Sequence, residues 1–426
     1  MKKFFLLILV GGILVSSYCI VKLKMEGVSK EKNQYRTEFI SSGLEGAEDF
    51  VFDELNNIYV SLENKVIKIN NDNTKEILFE EKKIKIKDIA YLENEIFYLY
   101  DDKLNAYCLK TGRHKLVVDE IPTQGDYSDN KILVKDGELY ITVGSATNSG
   151  VVGKDNKWRA SNAYDLPAKE IFLSNSKFDG TSPYSSYKTI NEEEKTRREN
   201  KIGNASIIKV NPKTKESILI ADGVRNVEGI DFDSENNIYM TVGGIEYRGA
   251  RPLYGDADYI YELKENSFYG WPDYSGGDPV DSVRFRKEGK AKQSFILKKH
   301  KHKPEAPIYQ HNEVSSLGSM AIDRHGDIEN KDSFFIYDKL SDSIFNIQKT
   351  GAKKKVLELK NSDIEKILIN DESLYLLDKK NGYILKVFED TNSIEIANNI
   401  KILILAVIVM SILGITLILF IKRKCK

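Results

Sequence analysis

Few residues of this chain have types and spacings that could do chemistry. No GxSxG, P-loop or HExxH pattern occurs in the 426 residues, and the three cysteines are too far apart for a Cys-rich zinc site. His311 directly precedes a predicted strand, so it is the histidine we expect to reach a functional face. Arg248, Arg251, Asp256 and Asp258 share one predicted loop. We expect part of this charged group to point into a site and the rest to be solvated.

The composition limits the class of protein. Hydrophobic residues make up 41% and charged residues 30%, and the formal net charge is −1. These values exclude a disordered polyelectrolyte and give no overall positive field, so we expect no nucleic-acid partner. The chain contains 23 Tyr and 18 Phe but only 9 Pro, a balance that favours strands.

A strand–turn–strand unit recurs along the middle of the chain. Residues 48–60 and 228–240 share one plan, in which a strand ends at Asp53 or Asp233, and Asn56-Asn57 or Asn236-Asn237 turns into an Ile-Tyr strand. Asparagine adopts positive φ at low cost, which suits a tight hairpin.

Looser copies of this unit bring the total to six. Radial repetition of small antiparallel sheets predicts an all-β, six-bladed β-propeller, and a β-sandwich is the alternative. Two long insertions, 146–203 and 244–316, interrupt the units. Because propellers carry function on loops at one face, these insertions are where we expect the site.

Both ends of the chain are predicted to enter a membrane. Residues 402–421 carry no charge and are followed by a basic tail, as in a transmembrane helix with a cytoplasmic flank. An apolar run after Lys2 and Lys3 indicates a signal peptide or an uncleaved signal anchor. We therefore expect transmembrane helices on both sides of an extracytoplasmic propeller at the cell membrane. The predicted segments are 1–24 (signal anchor or peptide), 25–42 (linker), 43–390 (propeller), 391–399 (juxtamembrane linker), 400–421 (transmembrane helix) and 422–426 (cytoplasmic tail).

Three motifs resemble those of a known family. Residues 223–230 read GVRNVEGI, residues 268–273 read FYGWPD, and residues 136–145 read DGELYITVGS. Together they resemble the glucose/sorbosone dehydrogenase family over roughly residues 43–390. That resemblance implies a six-bladed propeller that binds pyrroloquinoline quinone (PQQ) and Ca²⁺ and oxidises a sugar.

The resemblance also implies roles for individual residues. Arg225 and Asn226 match the pair that contacts the cofactor, although Arg225 could instead tie blades together through backbone carbonyls. The backbone carbonyls of Gly243 and Gly244 fall where the family binds calcium. Arg251 and His311 are added as further cofactor-binding candidates, because cations are needed to hold the carboxylates of PQQ.

The sequence departs from the family at the catalytic base. Tyr127 stands where the family has histidine, with Asp126 beside it as a possible substitute. An unperturbed tyrosine titrates near pH ~10, against about 6.5 for histidine, so it is a poor base at neutral pH.

Three functions therefore stay open. The first is a PQQ-dependent sugar dehydrogenase that delivers electrons to a membrane acceptor. The second is a propeller that has lost the base and binds a sugar, a cell-wall carbohydrate or a protein. The third is an interaction platform held at the membrane.

Overall fold

The structure is a computed structural model and describes residues 35–70, 72–191, 196–298 and 302–389. Residues 38–386 form one compact unit; residues 1–37 and 387–426 form a second unit, of which only 35–37 and 387–389 are described. The strands of the described residues are β1 (Tyr35–Ser42), β2 (Ala47–Phe52), β3 (Ile58–Leu62), β4 (Lys65–Ile69), β5 (Lys75–Glu80), β6 (Ile86–Leu92), β7 (Glu95–Tyr100), β8 (Lys103–Cys108), β9 (His114–Val118), β10 (Ile132–Lys135), β11 (Glu138–Val143), β12 (Ile171–Phe172), β13 (Thr196–Arg197), β14 (Ser206–Val210), β15 (Ser217–Asp222), β16 (Val227–Phe232), β17 (Ile238–Val242), β18 (Tyr259–Glu262), β19 (Ser267–Phe268), β20 (Tyr274–Ser275), β21 (Asp278–Pro279), β22 (Tyr309–Gln310), β23 (Leu317–Asp323), β24 (Ser333–Asp338), β25 (Ser343–Ile347), β26 (Lys353–Glu358), β27 (Ile364–Asn370), β28 (Ser373–Asp378) and β29 (Tyr383–Glu389).

Within these described ranges the strands build six blades, which confirms the six-bladed propeller and makes the sandwich alternative wrong. The blades are β2-β3-β4-β5, β6-β7-β8-β9, β10-β11-β14-β15-β19, β16-β17-β18-β22, β23-β24-β25-β26, and β27-β28-β29 with β1. Two short hairpins, β12-β13 and β20-β21, lie in the insertions, as do the short 3₁₀ helices Lys157–Ser161 and Val283–Phe285.

The predicted asparagine turns are present. Asn56 and Asn236 adopt positive φ, 61° and 67°. The carboxylate of Asp53 accepts the backbone N–H of Asn57, and Asp233 does the same for Asn237. The repeated sequence plan therefore reflects one repeated hairpin, in which an Asp side chain holds the turn.

The inner strands of the six blades are β2, β6, β10, β16, β23 and β27. In four places a polar side chain on one inner strand accepts a backbone N–H from the inner strand of the next blade, which ties β2, β6 and β10 together and β16, β23 and β27 together. The acceptor and donor residues are Asp49 and Ile89 (3.0 Å), Asp88 and Ile132 (2.9 Å), Asp231 and Ile322 (2.8 Å), and Ser319 and Ile367 (3.0 Å).

The insertions pack on each other around a core of their own, which we call the insertion core. Its buried residues are Val151, Leu173, Tyr184, Ala205, Ile245, Leu253, Trp271, Val280, Phe285, Ile296 and Leu297. Because this core is separate from those between blades, it can hold long loops at one end of the inner strands.

The predicted linker over 25–42 is wrong in its second part, since Tyr35–Ser42 forms β1 and joins the last blade. Most residues of β1 are exposed, so the strand lacks the apolar alternation that sequence reading needs. No helix in the described ranges is long and apolar enough to cross a membrane. Both predicted membrane segments lie outside the described residues.

Candidate functional site

Tyr127 lies in the loop between β9 and β10, and this loop is packed closely against the end of β11. A Cβ atom on Gly144 would stand 2.0 Å from the carbonyl oxygen of Tyr127, so only glycine fits there. The backbone N–H of Asp126 donates to the carbonyl of Ala146 (2.9 Å). The loop therefore presents Tyr127 and Asp126 from a fixed position beside the first insertion.

Arg225, in the turn between β15 and β16, is buried with 4% of its surface exposed. Its Nε donates to the carbonyl of Asn148 (3.0 Å), Nη1 to the carbonyl of Gly243 (3.3 Å), and Nη2 to Oδ1 of Asn148 (2.8 Å). Nη2 also donates to the hydroxyl of Tyr127. This geometry matches the alternative in which Arg225 ties loops of neighbouring blades together.

The hydroxyl of Tyr127 is held by two guanidinium groups. Besides Arg225, Nη2 of Arg248 donates to it (2.6 Å), and the Cζ atom of Arg225 lies 4.0 Å from the centre of the Tyr127 ring. Burial raises the pKa of Tyr127 to about 12, outweighing the opposite effect of Arg225. Tyr127 is therefore a neutral phenol at physiological pH.

Arg248 is surrounded by three carboxylates. Its Nη1 pairs with Asp155 (2.5 Å) and Asp126 (2.8 Å), and its Nε pairs with Glu246. Burial alone would raise the pKa of Glu246, but Arg225 and Arg248 hold that pKa below its ordinary value. We call the set of Tyr127, Asp126, Asn148, Asp155, Arg225, Glu246 and Arg248 the Tyr127 cluster.

Asn148 connects the members of the Tyr127 cluster and was missed by the sequence reading. Its Oδ1 accepts from Arg225 and from the backbone N–H of Glu246 (2.9 Å), while its Nδ2 donates to the carbonyls of Glu246 (2.9 Å) and Arg248 (3.1 Å). A buried Asn with both ends satisfied fixes the relative position of the two insertions. The ATNSG run that contains it was a signal, since it directly follows the DGELYITVGS motif.

The remaining candidates near Arg225 have partners of their own. Asn226 donates its side-chain amide to Glu228 (2.6 Å), and its carbonyl accepts the backbone N–H of Gly243 (3.0 Å). The backbone N–H of Gly244 donates to Asp258 (3.0 Å), and a Cβ atom there would stand 2.1 Å from the carbonyl of Ala257. Gly243 and Gly244 thus allow close packing of the loop after β17.

Arg251 and Asp256 are placed among buried groups apart from Tyr127. The five N–H groups of Arg251 are all used, on Asp273 (2.7 Å) and on the carbonyls of Ser149, Pro272 and Ser294, within the insertion core. Asp256 accepts the backbone N–H of Ile245 (2.6 Å). These hydrogen bonds hold Arg251 and Asp256 within the protein, and a role of either residue in ligand binding stays a prediction.

His311 and Asp258 lie where the fourth and fifth blades meet. His311 contacts the hydroxyls of Tyr309 (3.2 Å) and Ser316 (3.3 Å) and lies 3.5 Å from Asp338. Asp258 accepts four backbone N–H groups, including that of Gly244. The structure therefore brings together Tyr127, Asp126 and Arg225, but it does not bring His311 to them.

These residues do not fit PQQ and calcium as the resemblance implies. PQQ is a tricarboxylate, yet in the Tyr127 cluster three carboxylates outnumber two guanidinium groups, and four of the five N–H groups of Arg225 already have acceptors. The cavity lined by Arg225, Gly243 and Trp271 has a volume of about 20 Å³, room for one water molecule. The Gly243 carbonyl, predicted to bind calcium, faces a guanidinium. No group of three or more His, Cys, Asp or Glu residues that could hold a metal occurs within the described ranges.

An exposed aromatic pair adjoins the cluster. Tyr247 and Tyr254 keep 48% and 44% of their surface exposed, and their ring centres lie 5.6 Å apart. The ammonium of Lys287 lies 4.6 Å from the Tyr247 ring. Because Tyr247 stands between Glu246 and Arg248 in the chain, aromatic surface and hydrogen-bonding groups meet at one place.

The comparisons with known proteins show the fold. No protein-family model matches the chain, and no curated protein sequence does. A family AA12 carbohydrate-active enzyme of Trichoderma reesei is 13% identical, with a TM-score of 0.58 over 84% of this chain and 96% of that one. The PQQ-bound aldose sugar dehydrogenase of Streptomyces coelicolor is 14% identical (TM-score 0.54, 84% and 98% covered). The PQQ domain of pyranose dehydrogenase from Coprinopsis cinerea is 11% identical (TM-score 0.53, 84% and 96% covered). The chain is thus a six-bladed propeller with the fold of the PQQ sugar dehydrogenases.

Proposed function

We propose that this protein is a carbohydrate-binding propeller that does not oxidise its ligand. One observation carries the proposal: the charged groups of the Tyr127 cluster are paired with one another. Arg248 is shared by Asp126, Asp155, Glu246 and Tyr127, and Arg225 is used by Asn148, Gly243 and Tyr127. Such a cluster has no cation left to hold a tricarboxylate cofactor.

Tyr127 cannot replace the base that sugar oxidation needs. With its pKa raised to about 12, deprotonation at pH 7 costs about 7 kcal/mol, which removes the advantage of a positioned base. Both guanidinium donors point at the phenol oxygen, so its lone pairs are occupied. Asp126 is likewise bound, by Trp158 (2.7 Å), Asn156 (2.8 Å) and Arg248.

The surface beside the cluster suits a neutral, polyhydroxylated ligand. Sugar hydroxyls both donate and accept hydrogen bonds, and the partly exposed edges of Glu246 and Arg248 offer one acceptor and one donor. The C–H face of a sugar ring packs on aromatic surface, which Tyr247 and Tyr254 provide. Resemblance to propellers that act on sugars supports this ligand class.

We place the propeller on the outer face of the cell membrane. The proposal rests on the apolar run 402–421 with its basic flank and on the apolar N-terminal run. There the ligand would be a sugar or a cell-wall carbohydrate.

Titration of soluble glycans and peptidoglycan fragments into the full-length protein in detergent tests the proposal. We expect saturable binding that weakens about tenfold in Tyr247→Ala, because one aromatic contact is worth about 1 kcal/mol or more. Phe39→Ala, which removes a ring that is 66% exposed on β1, serves as the control and should bind as the wild type does. Absence of binding across the panel, or equal weakening in both variants, would contradict the proposal.

The second candidate is membrane-bound, PQQ- and calcium-dependent sugar oxidation with electron transfer to a membrane acceptor. The structural likeness to the PQQ-bound Streptomyces coelicolor enzyme and the Arg225-Asn226 pair favour it. It requires PQQ to bind this chain and a sugar to reduce an artificial electron acceptor, whereas the binding function requires neither.

A further inference from the structure

A second cavity lies on the propeller axis, away from the Tyr127 cluster. It has a volume of about 250 Å³ and is bounded by all six inner strands. Tyr127 and Arg225 precede β10 and β16, whereas most lining residues belong to the later parts of the inner strands. The apolar wall residues are Val51, Phe52, Ile89, Ala90, Tyr91, Ile132, Leu133, Val134, Ile230, Phe232, Met320, Ile367, Leu368 and Ile369.

Lys366 lines this cavity near the start of β27. Its ammonium is paired with Asp49 (3.1 Å), and its side chain is only 18% exposed. Lys131, paired with Glu365 (3.2 Å), lies in the same buried charge network. The other polar residues of the wall are Asp231, Arg324 and Asn370. A partly buried cation attracts an anion more strongly than it would in water, because the local dielectric constant is low.

Arg324 lines the cavity just after the end of β23. Its Nε donates to the carbonyl of Phe232 (2.7 Å), its Nη2 pairs with Asp231, and its Cζ lies 3.8 Å from the centre of the Phe232 ring. Nη1 makes no hydrogen bond to any of the residues that the structure describes. The guanidinium is thus held in place by three contacts, and three of its five N–H groups stay available to a ligand, two of them on Nη1.

We propose that the axial cavity binds a small amphiphilic carboxylate, with its apolar body against the inner strands and its carboxylate on Nη1 of Arg324. The apolar wall residues would contact the apolar body of the ligand. The fixed N–H donors of Arg324 would bind its carboxylate, because a guanidinium matches the planar geometry of a carboxylate. Lys366 adds attraction from within the cavity. This inference does not depend on the function proposed for the Tyr127 cluster.

Three probes of equal chain length test the charge preference. Thermal unfolding of the full-length protein is measured with hexanoate, hexan-1-ol or hexylamine at constant pH and ionic strength. For a Kd on the order of 1 mM, about 10 mM hexanoate should raise the Tm by about 2 °C. Hexanol should act more weakly, and hexylamine should have no stabilising effect. Equal stabilisation by hexylamine and hexanoate, or no stabilisation by hexanoate, would overturn the proposal.

Variants test the location. Arg324→Gln should remove the advantage of hexanoate over hexanol while leaving the weaker effect of hexanol. Leu133→Trp and Leu368→Trp each enlarge a half-buried wall residue, so both should abolish stabilisation by hexanoate and hexanol. Two filling variants are used so that one remains informative if the other fails to fold. A hexanoate effect that survives in a folded filling variant would place the binding site elsewhere and overturn the proposal.

Discussion

Arg251→Met is expected to lower the free energy of unfolding by about 3–5 kcal/mol, because it removes the guanidinium that balances the buried charge of Asp273. The side chains of Arg251 and Asp273 are 1% and 0% exposed, and they lie 2.7 Å apart. Asp273 also accepts the backbone N–H groups of Ile296 (2.8 Å) and Leu297 (2.7 Å). The loss should therefore loosen the insertion core, and urea unfolding followed by fluorescence measures it.

Lys213→Met is the control. Lys213 pairs with Glu93 at 3.1 Å, but these side chains are 72% and 62% exposed, so solvent screens the pair and its loss should cost less than about 1 kcal/mol. The double variant Arg251→Met with Asp273→Asn should cost less than the sum of its single changes, since it removes both charges of the buried ion pair. Equal costs for Arg251→Met and Lys213→Met would show that the buried pair does not support the insertions.

The second large effect concerns pH: the protein should be more stable at pH 5.5 than at pH 8. Burial raises the pKa of Asp165 to about 7, and burial together with the nearby Asp49 raises that of Asp88 to about 7. A carboxyl group whose pKa is raised by folding stabilises the folded state at low pH, and this contribution is lost as the pH rises through 7. Each group should make the free energy of unfolding about 2 kcal/mol larger at pH 5.5 than at pH 8.

Asp165→Asn tests the assignment. Asp165 accepts the backbone N–H of Ala146 (2.6 Å) and the hydroxyl of Thr147 (2.5 Å). The side-chain oxygen of Asn can still accept the N–H of Ala146, and its side-chain NH₂ group can donate to the hydroxyl of Thr147. We expect the stability difference between the two pH values to fall by about half. Asp179→Asn, at a surface position, should leave it unchanged. If the protein is equally stable at both pH values, these carboxyl groups do not titrate as described.

The blade plan could be predicted from the sequence because its signals are local. Asn56 and Asn236 take positive φ in equivalent hairpins, and their spacing from Asp53 and Asp233 is visible in the sequence. The outer strands could not be predicted in the same way. Strands such as β26, with Lys353, Lys354 and Lys355, face solvent and carry little apolar alternation.

The candidate site was predicted in part. The resemblance identified Tyr127, Asp126 and Arg225, which the structure brings together. It did not identify Glu246 or Asp155, because their role depends on Arg248 reaching back from the second insertion to the first. Arg251 appeared equivalent to Arg248 in the sequence. Only the packing of the insertion core shows that Arg251 is buried among carbonyls and that Arg248 lies against Tyr127.

Calorimetric titration of PQQ, in the presence of calcium, into the full-length protein tests the central claim most directly. The claim is that the Tyr127 cluster pairs its own charges and leaves no place for the cofactor. It predicts no saturable heat at micromolar protein concentration. Saturable one-to-one binding that is lost in Arg225→Met would contradict the claim and establish the cofactor-dependent function instead.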